Sequence, residues 1–466
     1  MTEPRRATRT EALMAAVRAR IASRAIGAGD RLPSVRGFAE SMGVSPSTVV
    51  EAYDRLAASG VIEARRGSGF YVTGAALQPL SLGDMGPQRE RDIDPFWVSR
   101  QSLDADPSMA MPGCGWLPAD WMPNAALRRA LRNAARSDGE LLSGYGSTRG
   151  FAALRRILLG RFAEDGMEIG ADQLLLTGSG TQAVDLICRF LLRPGDRVLV
   201  DDPGYFNFHA LLRAHQVEPI GIPVTPSGPD PAAFEAAVTA HQPRLYITNS
   251  ALHNPTGATI TPQAAHRILR VAAAHDLIIV EDEIFADFEP SLSPRMAILD
   301  GLDRVIRIGS FSKTLSASVR CGYIAARADW IEGLVDLQVA TSFVGPGPIA
   351  TQLIADILAG GSYRKHMAGL RARLTAARER TAARLARLDI VPQSMPRGGF
   401  YLWCSLPEGL DSATIARRCM DLGVVLAPGN VFSVSRSATP FLRFNVAHSD
   451  SDRVENTLRT AMNAAQ

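Results

Sequence analysis

The chain has 466 residues, which is too long for one ordinary hydrophobic core and predicts two to four domains. Hydrophobic residues make up 46% and charged residues 21%, a balance typical of a soluble globular protein. No apolar run approaches the roughly 20 residues that span a bilayer, and the polar, Arg-rich start lacks the apolar core of a signal peptide. These features argue against a membrane protein and predict a cytoplasmic location. The five cysteines are scattered and never spaced as C-x-x-C, so they predict neither a disulfide framework nor a metal site.

Positive charge is concentrated near the N-terminus. Residues 1–75 hold 11 arginines against 7 acidic residues, whereas the rest of the chain is close to neutral. This asymmetry predicts that only the first part of the chain meets a polyanion. Of the 50 basic residues, only Lys313 and Lys365 are lysines. A lysine retained in so arginine-rich a chain is a candidate for chemistry that requires an amine.

The N-terminal segment predicts a helix, a helix-turn-helix and a β-hairpin, in that order. Apolar residues at helical spacing indicate a first helix over residues 8–26. Serine caps and closing glycines indicate two shorter helices over about 34–41 and 45–59. Two short strands, Val61–Ala64 and Phe70–Thr73, flank a turn that contains glycine.

In a helix-turn-helix, the start of the second helix faces the bases of the major groove, and flanking cations neutralise phosphates. The alternative is a small helical domain with a solvated basic face. The R-L-P-S-x-R opening, the G-V-S-x-x-T-V turn and the R-x-G-x-G-x-x-V wing resemble the winged-helix domain of GntR-family regulators. The resemblance implies that residues 1–75 form a DNA-binding domain for double-stranded DNA. Its implied DNA contacts are Arg36, Ser45, Ser47, Thr48, Arg65 and Gly67.

The next segment, residues 76–107, loses the helical periodicity and predicts a linker with one short helix around Phe96–Ser102. From about residue 108, short apolar strands alternate with helical stretches. This alternation predicts an α/β domain with a mostly parallel sheet covered by helices. The expected strands are Leu174–Thr177, Val198–Val200, Leu245–Thr248, Leu277–Val280 and Val305–Ile308.

Lys313 follows the last of these strands, in the sequence S-F-S-K. An amine fixed at a strand end can form a Schiff base with an aldehyde cofactor, and the nearby hydroxyls and Arg320 can hold a phosphate. The loop from Thr177 to Gln182 joins a strand to a helix, and the amides at a helix N-terminus attract phosphate. Both features have an alternative interpretation. Lys313 could be an ordinary surface lysine in a loop, and the loop from Thr177 to Gln182 could be an ordinary tight turn.

Four more side chains favour a planar cofactor with an anionic ligand. Asp282 ends a strand, where a carboxylate can pair with a protonated pyridine nitrogen, and Tyr205 can stack on a flat ring. Asn254 can donate to a ring oxygen, and Arg443 offers a fork for a carboxylate. Each residue also has a structural alternative. Asp282 could be a helix cap or a surface acid, and Tyr205 could be a core aromatic. Asn254 could belong to a turn, and Arg443 could form a structural ion pair.

The motifs S-x-S-K, H-N-P-T-G, G-G-F-Y-L-W and L-R-F-N, in their order along the chain, resemble fold-type I aminotransferases over residues 108–466. The resemblance implies a large subdomain over about 150–345 and a small one over 346–466 with part of 108–149. It also implies pyridoxal 5'-phosphate (PLP) as the cofactor, held by Lys313 as an aldimine. The other implied contacts are Asp282 at the pyridine nitrogen, Asn254 at the ring hydroxyl, Tyr205 on the ring, Arg443 at the substrate or effector carboxylate, and Ser179, Gly180, Thr181, Gln182, Ser310 and Arg320 around the phosphate.

The resemblance extends to subunit organisation and function. Tyr145 matches a position that reaches the cofactor of the partner subunit, which implies a homodimer. A GntR-type reader fused to an aminotransferase-like domain resembles the MocR subfamily of bacterial regulators. This subfamily implies a multidomain fold, with a winged helix-turn-helix (α+β) followed by an α/β fold-type I domain. It also implies a regulator in which an amino acid or other amine effector exchanges onto PLP at Lys313.

One residue departs from the family pattern. Three residues after the aspartate the family usually has tyrosine, whereas this chain has Phe285, which cannot donate to the ring hydroxyl. The substitution puts efficient transamination in doubt and leaves cofactor binding unaffected. Two alternative functions stay open: a working aminotransferase with a DNA-binding head, and a sensor of PLP itself.

Overall fold

The computed structural model describes residues 8–22, 26, 29–65, 67–73, 95–137 and 139–465. The chain divides into two compact units, Met1–Glu90 and Arg91–Gln466. Among the described residues, no helix has the length and the apolar character that crossing a bilayer requires.

The described part of the first unit has the predicted order of elements. They are α1 (Arg9–Ala22), α2 (Val35–Met42), α3 (Pro46–Ala58), β1 (Ile62–Arg65) and β2 (Gly69–Val72). The two strands pair in an antiparallel hairpin. Part of the predicted first helix, residues 23–25, lies outside the described residues.

Local capping explains where the helices of the first unit begin and end. The Ser34 hydroxyl accepts a hydrogen bond from the Gly37 amide at 3.1 Å and so begins α2. Gly43, with φ of 62°, ends that helix in the left-handed conformation that glycine adopts without strain. Ser45 caps α3 in the same way as Ser34 caps α2. One face of α3 is buried and forms the core of the unit with residues Val49, Ala52, Tyr53 and Leu56.

The second unit is built from helices around two sheets. Its helices are α4 (Pro95–Leu103), α5 (Asn124–Ala134), α6 (Gly139–Ser143), α7 (Ala152–Glu164), α8 (Gly180–Leu191), α9 (Phe206–Ala214), α10 (Pro231–His241), α11 (Pro262–Ala274), α12 (Met296–Asp300), α13 (Ala328–Ser342), α14 (Pro348–Ala359), α15 (Ser362–Ala386), α16 (Ser412–Asp421), α17 (Val446–Ser449) and α18 (Asp452–Asn463). Its strands are β3 (Leu174–Thr177), β4 (Arg197–Asp202), β5 (Glu218–Thr225), β6 (Gly228–Pro229), β7 (Leu245–Thr248), β8 (Ile278–Asp282), β9 (Val305–Ser310), β10 (Gly322–Ala325), β11 (Val391–Pro392), β12 (Tyr401–Ser405), β13 (Ala427–Pro428) and β14 (Phe441–Asn445).

The larger sheet has the order β3-β10-β9-β8-β7-β4-β5-β6. The five strands from β9 to β5 run parallel, and β10 pairs antiparallel with both β3 and β9. The strands are buried by apolar clusters, as expected for a parallel sheet covered on both faces. The smaller sheet, β11-β12-β14-β13, is antiparallel. The carboxyl ends of β4, β7, β8 and β9 therefore meet at one edge of the larger sheet.

The sequence locates the five expected strands, with differences at the ends of three of them. The strand expected over Val198–Val200 extends to Arg197–Asp202, and the one expected over Leu277–Val280 covers Ile278–Asp282. The last expected strand continues to Ser310. Backbone pairing with neighbouring strands extends past the apolar residues, so hydropathy alone underestimates the length of a strand.

The helix expected within the predicted linker is present as α4 and belongs to the second unit. Trp97 and Val98 of this helix are buried, and Trp97 packs in an apolar cluster with Phe206, Trp403 and Phe432. Residues 76–94 of the predicted linker lie outside the described residues.

Candidate functional site

The start of α3 presents a cluster of hydroxyl groups. The Ser45 Oγ atom accepts from the Thr48 amide at 3.3 Å and lies 2.8 Å from Ser47 Oγ and 2.7 Å from Thr48 Oγ1. Ser45 and Thr48 belong to the helix cap, so the cap itself fixes the positions of these hydroxyls. Arg36, in the first turn of α2, is exposed, and no ion pair involves it among the described residues.

The wing hairpin holds the other predicted DNA contacts. Arg65 pairs with Glu63 at 2.6 Å, and its guanidinium lies 4.4 Å from the centroid of the Tyr71 ring. Gly67 has φ of 73° and open space where a Cβ would be, as expected at the tip of a turn. Arg31, which the sequence analysis did not single out, lies beside the wing, because a Cβ on Gly69 would come within 3.3 Å of Arg31 Nε.

In the second unit, ten of the residues predicted to contact the cofactor or the effector line one cavity of about 320 Å³. The cavity lies at the sheet edge where the carboxyl ends of the parallel strands meet, the usual place for ligands in open α/β folds. The ten residues are Ser179, Gly180, Thr181, Tyr205, Asn254, Asp282, Ser310, Lys313, Arg320 and Arg443.

Lys313 presents its amine to this cavity just beyond the end of β9. Burial lowers the pKa of this amine to about 8, and the positive charge of Arg443 contributes to the shift. Gly115 faces the amine from across the cavity, because a Cβ at that position would lie 3.9 Å from Lys313 Nζ and 3.5 Å from the Tyr401 hydroxyl. A larger fraction of this amine is therefore in the neutral, nucleophilic form at physiological pH than of an ordinary lysine.

Asp282 ends β8 as a buried carboxyl group. Its Oδ1 atom accepts from the Ile284 amide at 3.0 Å, and among the described residues no cation pairs with it. Burial raises the pKa of this carboxyl to about 7. A protonated pyridine nitrogen would supply the missing counter-ion, so this side chain fits the ring of PLP.

Arg443 lies in β14 and is 1% exposed. It donates through Nη1 to Asn254 Oδ1 at 2.9 Å and through Nη2 to the Gly113 carbonyl at 2.7 Å. Its Nε atom is buried without a hydrogen-bond partner, and no carboxylate pairs with the guanidinium in the part of the chain that the structure describes. A buried cation without a counter-ion is costly, so this arrangement favours binding of an anionic ligand.

A buried hydrogen-bond network fixes the residues between Arg443 and Asp282. Asp201 accepts from Thr248 Oγ1 at 2.9 Å and from the Asn249 amide at 3.1 Å. The Asn249 side chain in turn donates to the Asp282 carbonyl at 2.6 Å and accepts from the Asn254 amide at 2.9 Å. The Asn254 Oδ1 atom is used by Arg443, which leaves the side-chain NH2 group to donate into the cavity.

Another part of the cavity wall consists of hydroxyl and amide groups at the N-terminus of α8. Ser179 caps this helix by accepting from the Gln182 amide at 3.0 Å. Ser310 Oγ lies 2.8 Å from Ser312 Oγ, and the exposed Arg320 lines the same region. Helix N-terminal amides together with hydroxyls and a guanidinium fit a phosphate group.

Two predicted residues lie outside this cavity. The Gln182 side chain accepts from the Gly178 amide at 2.5 Å and donates to Ser342 at 3.2 Å, so it braces the loop. Tyr145 is 71% exposed, and its ring contacts Phe343 with the centroids 5.0 Å apart.

The cavity also contains residues that the sequence analysis did not assign to a site. Ser312 lies in the S-F-S-K motif and Tyr401 in the G-G-F-Y-L-W motif, so membership of these motifs could have identified both as site residues. Trp116 carried no such signal. Val98, Ser102 and Leu103 come from α4, which was expected to be part of a linker.

Comparison with known families divides the chain in the same way. Residues 118–460 match the family described as Aminotransferase class I and II. Residues 9–72 match the family described as Bacterial regulatory proteins, gntR family.

Two bacterial regulators are similar over nearly the full length. The chain is 27% identical over 456 residues to the uncharacterized HTH-type transcriptional regulator YdcR of Escherichia coli (strain K12), and the match covers 95% of this chain and 96% of YdcR. It is 24% identical over 442 residues to the HTH-type transcriptional regulator NorG of Staphylococcus aureus (strain USA300), and the match covers 92% of this chain and 98% of NorG.

Solved structures show the same aminotransferase fold. LysN, the alpha-aminoadipate aminotransferase from Thermus thermophilus, has a TM-score of 0.71 at 23% identity over 79% of this chain and 95% of LysN. Kynurenine aminotransferase from Pyrococcus horikoshii has a TM-score of 0.72 at 23% identity over 83% of this chain and 99% of that enzyme. The family match covers most of the chain. The chain therefore belongs to the aminotransferase class I and II family, takes pyridoxal 5'-phosphate as its cofactor, and carries the N-terminal gntR-family domain that makes it a MocR-type transcription regulator.

Proposed function

We propose that this regulator senses an amino compound in the cofactor cavity. The amine of the effector would replace the Lys313 amine at the aldehyde carbon of PLP. The observation that carries the proposal is the grouping of three side chains in one cavity: a lysine amine with a lowered pKa, a buried carboxyl, and a guanidinium that has no counter-ion among the described residues. PLP supplies an aldehyde that condenses reversibly with primary amines and an electron-withdrawing ring.

The side chains around the ring have complementary roles in this proposal. Asp282 would pair with the pyridine nitrogen, the NH2 group of Asn254 would donate to the ring hydroxyl, and Tyr205 would stack on the ring. The phosphate would lie among side chains and amides that line the same cavity, those of Ser179, Gly180, Thr181, Ser310 and Arg320. Gln182 would contribute indirectly, by fixing the loop that precedes α8. Its backbone amide donates to Ser179, and its side chain accepts from the Gly178 amide.

Arg443 sets the orientation of the effector. Its guanidinium donates to Asn254 and Gly113 and pairs with no carboxylate in the described part of the chain, so a carboxylate on the effector would supply the counter-ion. Binding the carboxylate here directs the neighbouring amino group toward Lys313. If this contact with the effector is more favourable in one state of the protein than in another, effector binding raises the population of the favoured state and so changes DNA binding.

A homodimer is part of the same proposal. Tyr145 and Phe343 form an exposed aromatic pair, 71% and 60% exposed. Exposed aromatic side chains of this kind favour a subunit interface. In the dimer, Tyr145 would reach the cofactor of the partner subunit.

At the DNA, Arg36→Ala in the full chain should weaken binding to a duplex selected from a random library and reduce its salt dependence. Removing one phosphate contact lowers the slope of log affinity against log salt by about 1. Arg459→Ala, which changes an exposed arginine of the second unit, is the control. Equal slopes for Arg36→Ala and the unaltered chain would remove Arg36 from the DNA contacts.

Lys313→Ala should abolish the visible absorption of PLP-loaded protein and every amine-dependent change in DNA affinity, while basal DNA affinity stays within about twofold. The reason is that no other described residue of the cavity has a primary amine. The matched control is Lys365→Ala, because Lys365 is the one other lysine of the chain and is exposed on α15. An effector response that survives Lys313→Ala would contradict the proposal.

The rate at which cofactor-free protein takes up PLP should rise about tenfold per pH unit up to pH 8 and level off above it. The neutral amine is the nucleophile, and the pKa of Lys313 is lowered to about 8, so the neutral form is fully populated at a lower pH than in an ordinary lysine. Stopped-flow absorbance measures this rate. A rate that still rises tenfold between pH 9 and pH 10 would show an unshifted lysine.

A working aminotransferase is the second candidate, favoured by the presence of Lys313, Asp282 and Arg443 in one cavity. Phe285 lines the same cavity and packs edge-on against Phe400 and Tyr401, so it has no hydroxyl to offer the cofactor ring. We expect multiple-turnover transamination across a panel of amino acids and oxo acids below about 0.01 per second, and a higher rate for Phe285→Tyr. Turnover of about 1 per second in the unaltered chain would instead make catalysis the primary function.

A further inference from the structure

Helix α4 forms part of the wall of the cofactor cavity. Val98, Ser102 and Leu103 line it, at the point where the second unit begins. The helix is anchored by Trp97, which packs with Phe206, Trp403 and Phe432. Val98 is 1% exposed and Ser102 6% exposed, so this end of the helix has a fixed position.

Leu103 differs from its neighbours on α4. It lines the cavity and is nevertheless 73% exposed, the largest value among the exposed large apolar side chains that the structure describes. An apolar side chain at the mouth of a cavity gains free energy when a ligand covers it, in proportion to the apolar area removed from water. This residue is therefore suited to contact an apolar group of a bound ligand.

The charged side chains of the cavity are already accounted for. In the described part of this chain, the charged residues that line it are Asp282, Lys313, Arg320 and Arg443. The proposed function uses them for the ring nitrogen, the amine, the phosphate and the effector carboxylate. Among the described residues, no charged group of the cavity is left to pair with a charge on the effector side chain.

The rest of the wall is mainly apolar or aromatic. Besides Leu103 it includes Val98, Trp116, Ile284, Phe285 and Tyr401. A second carboxylate or an ammonium group placed against the buried part of this wall, at Val98, Phe285 and Tyr401, would lose its hydration without gaining a partner among the described residues, which is strongly unfavourable.

We infer that the effector is an α-amino acid with an uncharged, apolar side chain, which packs against Leu103 of α4. This inference rests on the proposed function and names its effector class. Leu103 is a specificity-determining residue in this account, and Arg443 contributes only to recognition of the carboxylate that all α-amino acids share.

The test uses the PLP-loaded full chain and three probes: L-leucine, L-glutamate and methylamine. Absorbance titration gives the midpoint for each probe, and thermal unfolding of the same samples gives an independent measure of binding. We expect the L-leucine midpoint to be at least about tenfold lower than the L-glutamate midpoint. An L-glutamate midpoint equal to or lower than that of L-leucine would overturn the inference.

Variants at position 103 test the role of α4. Leu103→Ala should raise the L-leucine midpoint about fivefold and leave the methylamine midpoint unchanged, because methylamine has no side chain to reach α4. Leu103→Arg should lower the L-glutamate midpoint by adding the missing cation. Leu299→Ala, at an exposed leucine of α12 outside the cavity, is the matched control. Identical midpoints for Leu103→Ala and Leu299→Ala would remove α4 from recognition of the effector.

The methylamine probe separates this inference from the proposed function. A chain that shows no spectral response to any of the three probes fails the proposed exchange at Lys313. A chain that responds to methylamine and shows no preference for L-leucine retains the exchange and fails only the assignment of the effector class.

Discussion

Ligand binding in the second unit depends on three ionisable groups that have no ion-pair partner among the residues that the structure describes. Within that part of the chain, the buried Arg443 has one guanidinium nitrogen without a hydrogen-bond partner, Asp282 is a buried carboxyl whose pKa is raised to about 7, and Lys313 is an amine whose pKa is lowered to about 8. In an ordinary protein core each of these groups would be destabilising. The three groups are complementary to a pyridine nitrogen, an aldehyde and a carboxylate, which PLP and an amino acid together provide. Binding of these ligands would therefore supply the interactions that the three groups lack in the free protein.

The sheet is what brings these groups together. The carboxyl ends of parallel strands meet at one edge, and Asp282 and Lys313 lie at the ends of β8 and β9 there. The buried Asp201 carboxylate then organises Asn249, which holds Asn254 in position for Arg443. Because Arg443 comes from the smaller sheet, its contacts with Asn254 and Gly113 join distant parts of the second unit at the cavity.

The sequence predicts much of this arrangement because short motifs carry strong local constraints. The caps Ser34 and Ser45 mark helices α2 and α3, and the S-F-S-K motif after an apolar strand places Lys313 at a strand end. What it does not predict depends on tertiary contacts. The side chain of Gln182 donates to Ser342, 160 residues further along the chain, instead of lining the cavity. Helix α4 belongs to the second unit because Trp97 packs against apolar residues that lie more than 100 positions away in the sequence. Neither contact has a local signature.

Cofactor binding in the second unit depends above all on the amine of Lys313. Borohydride reduction of the PLP-loaded chain, followed by peptide mass spectrometry, tests it most directly, because reduction makes the link between the amine and the cofactor permanent. We expect one phosphopyridoxyl group per chain, on the peptide that contains Lys313. A label on Lys365 alone, or protein that retains no cofactor after reduction, would contradict it.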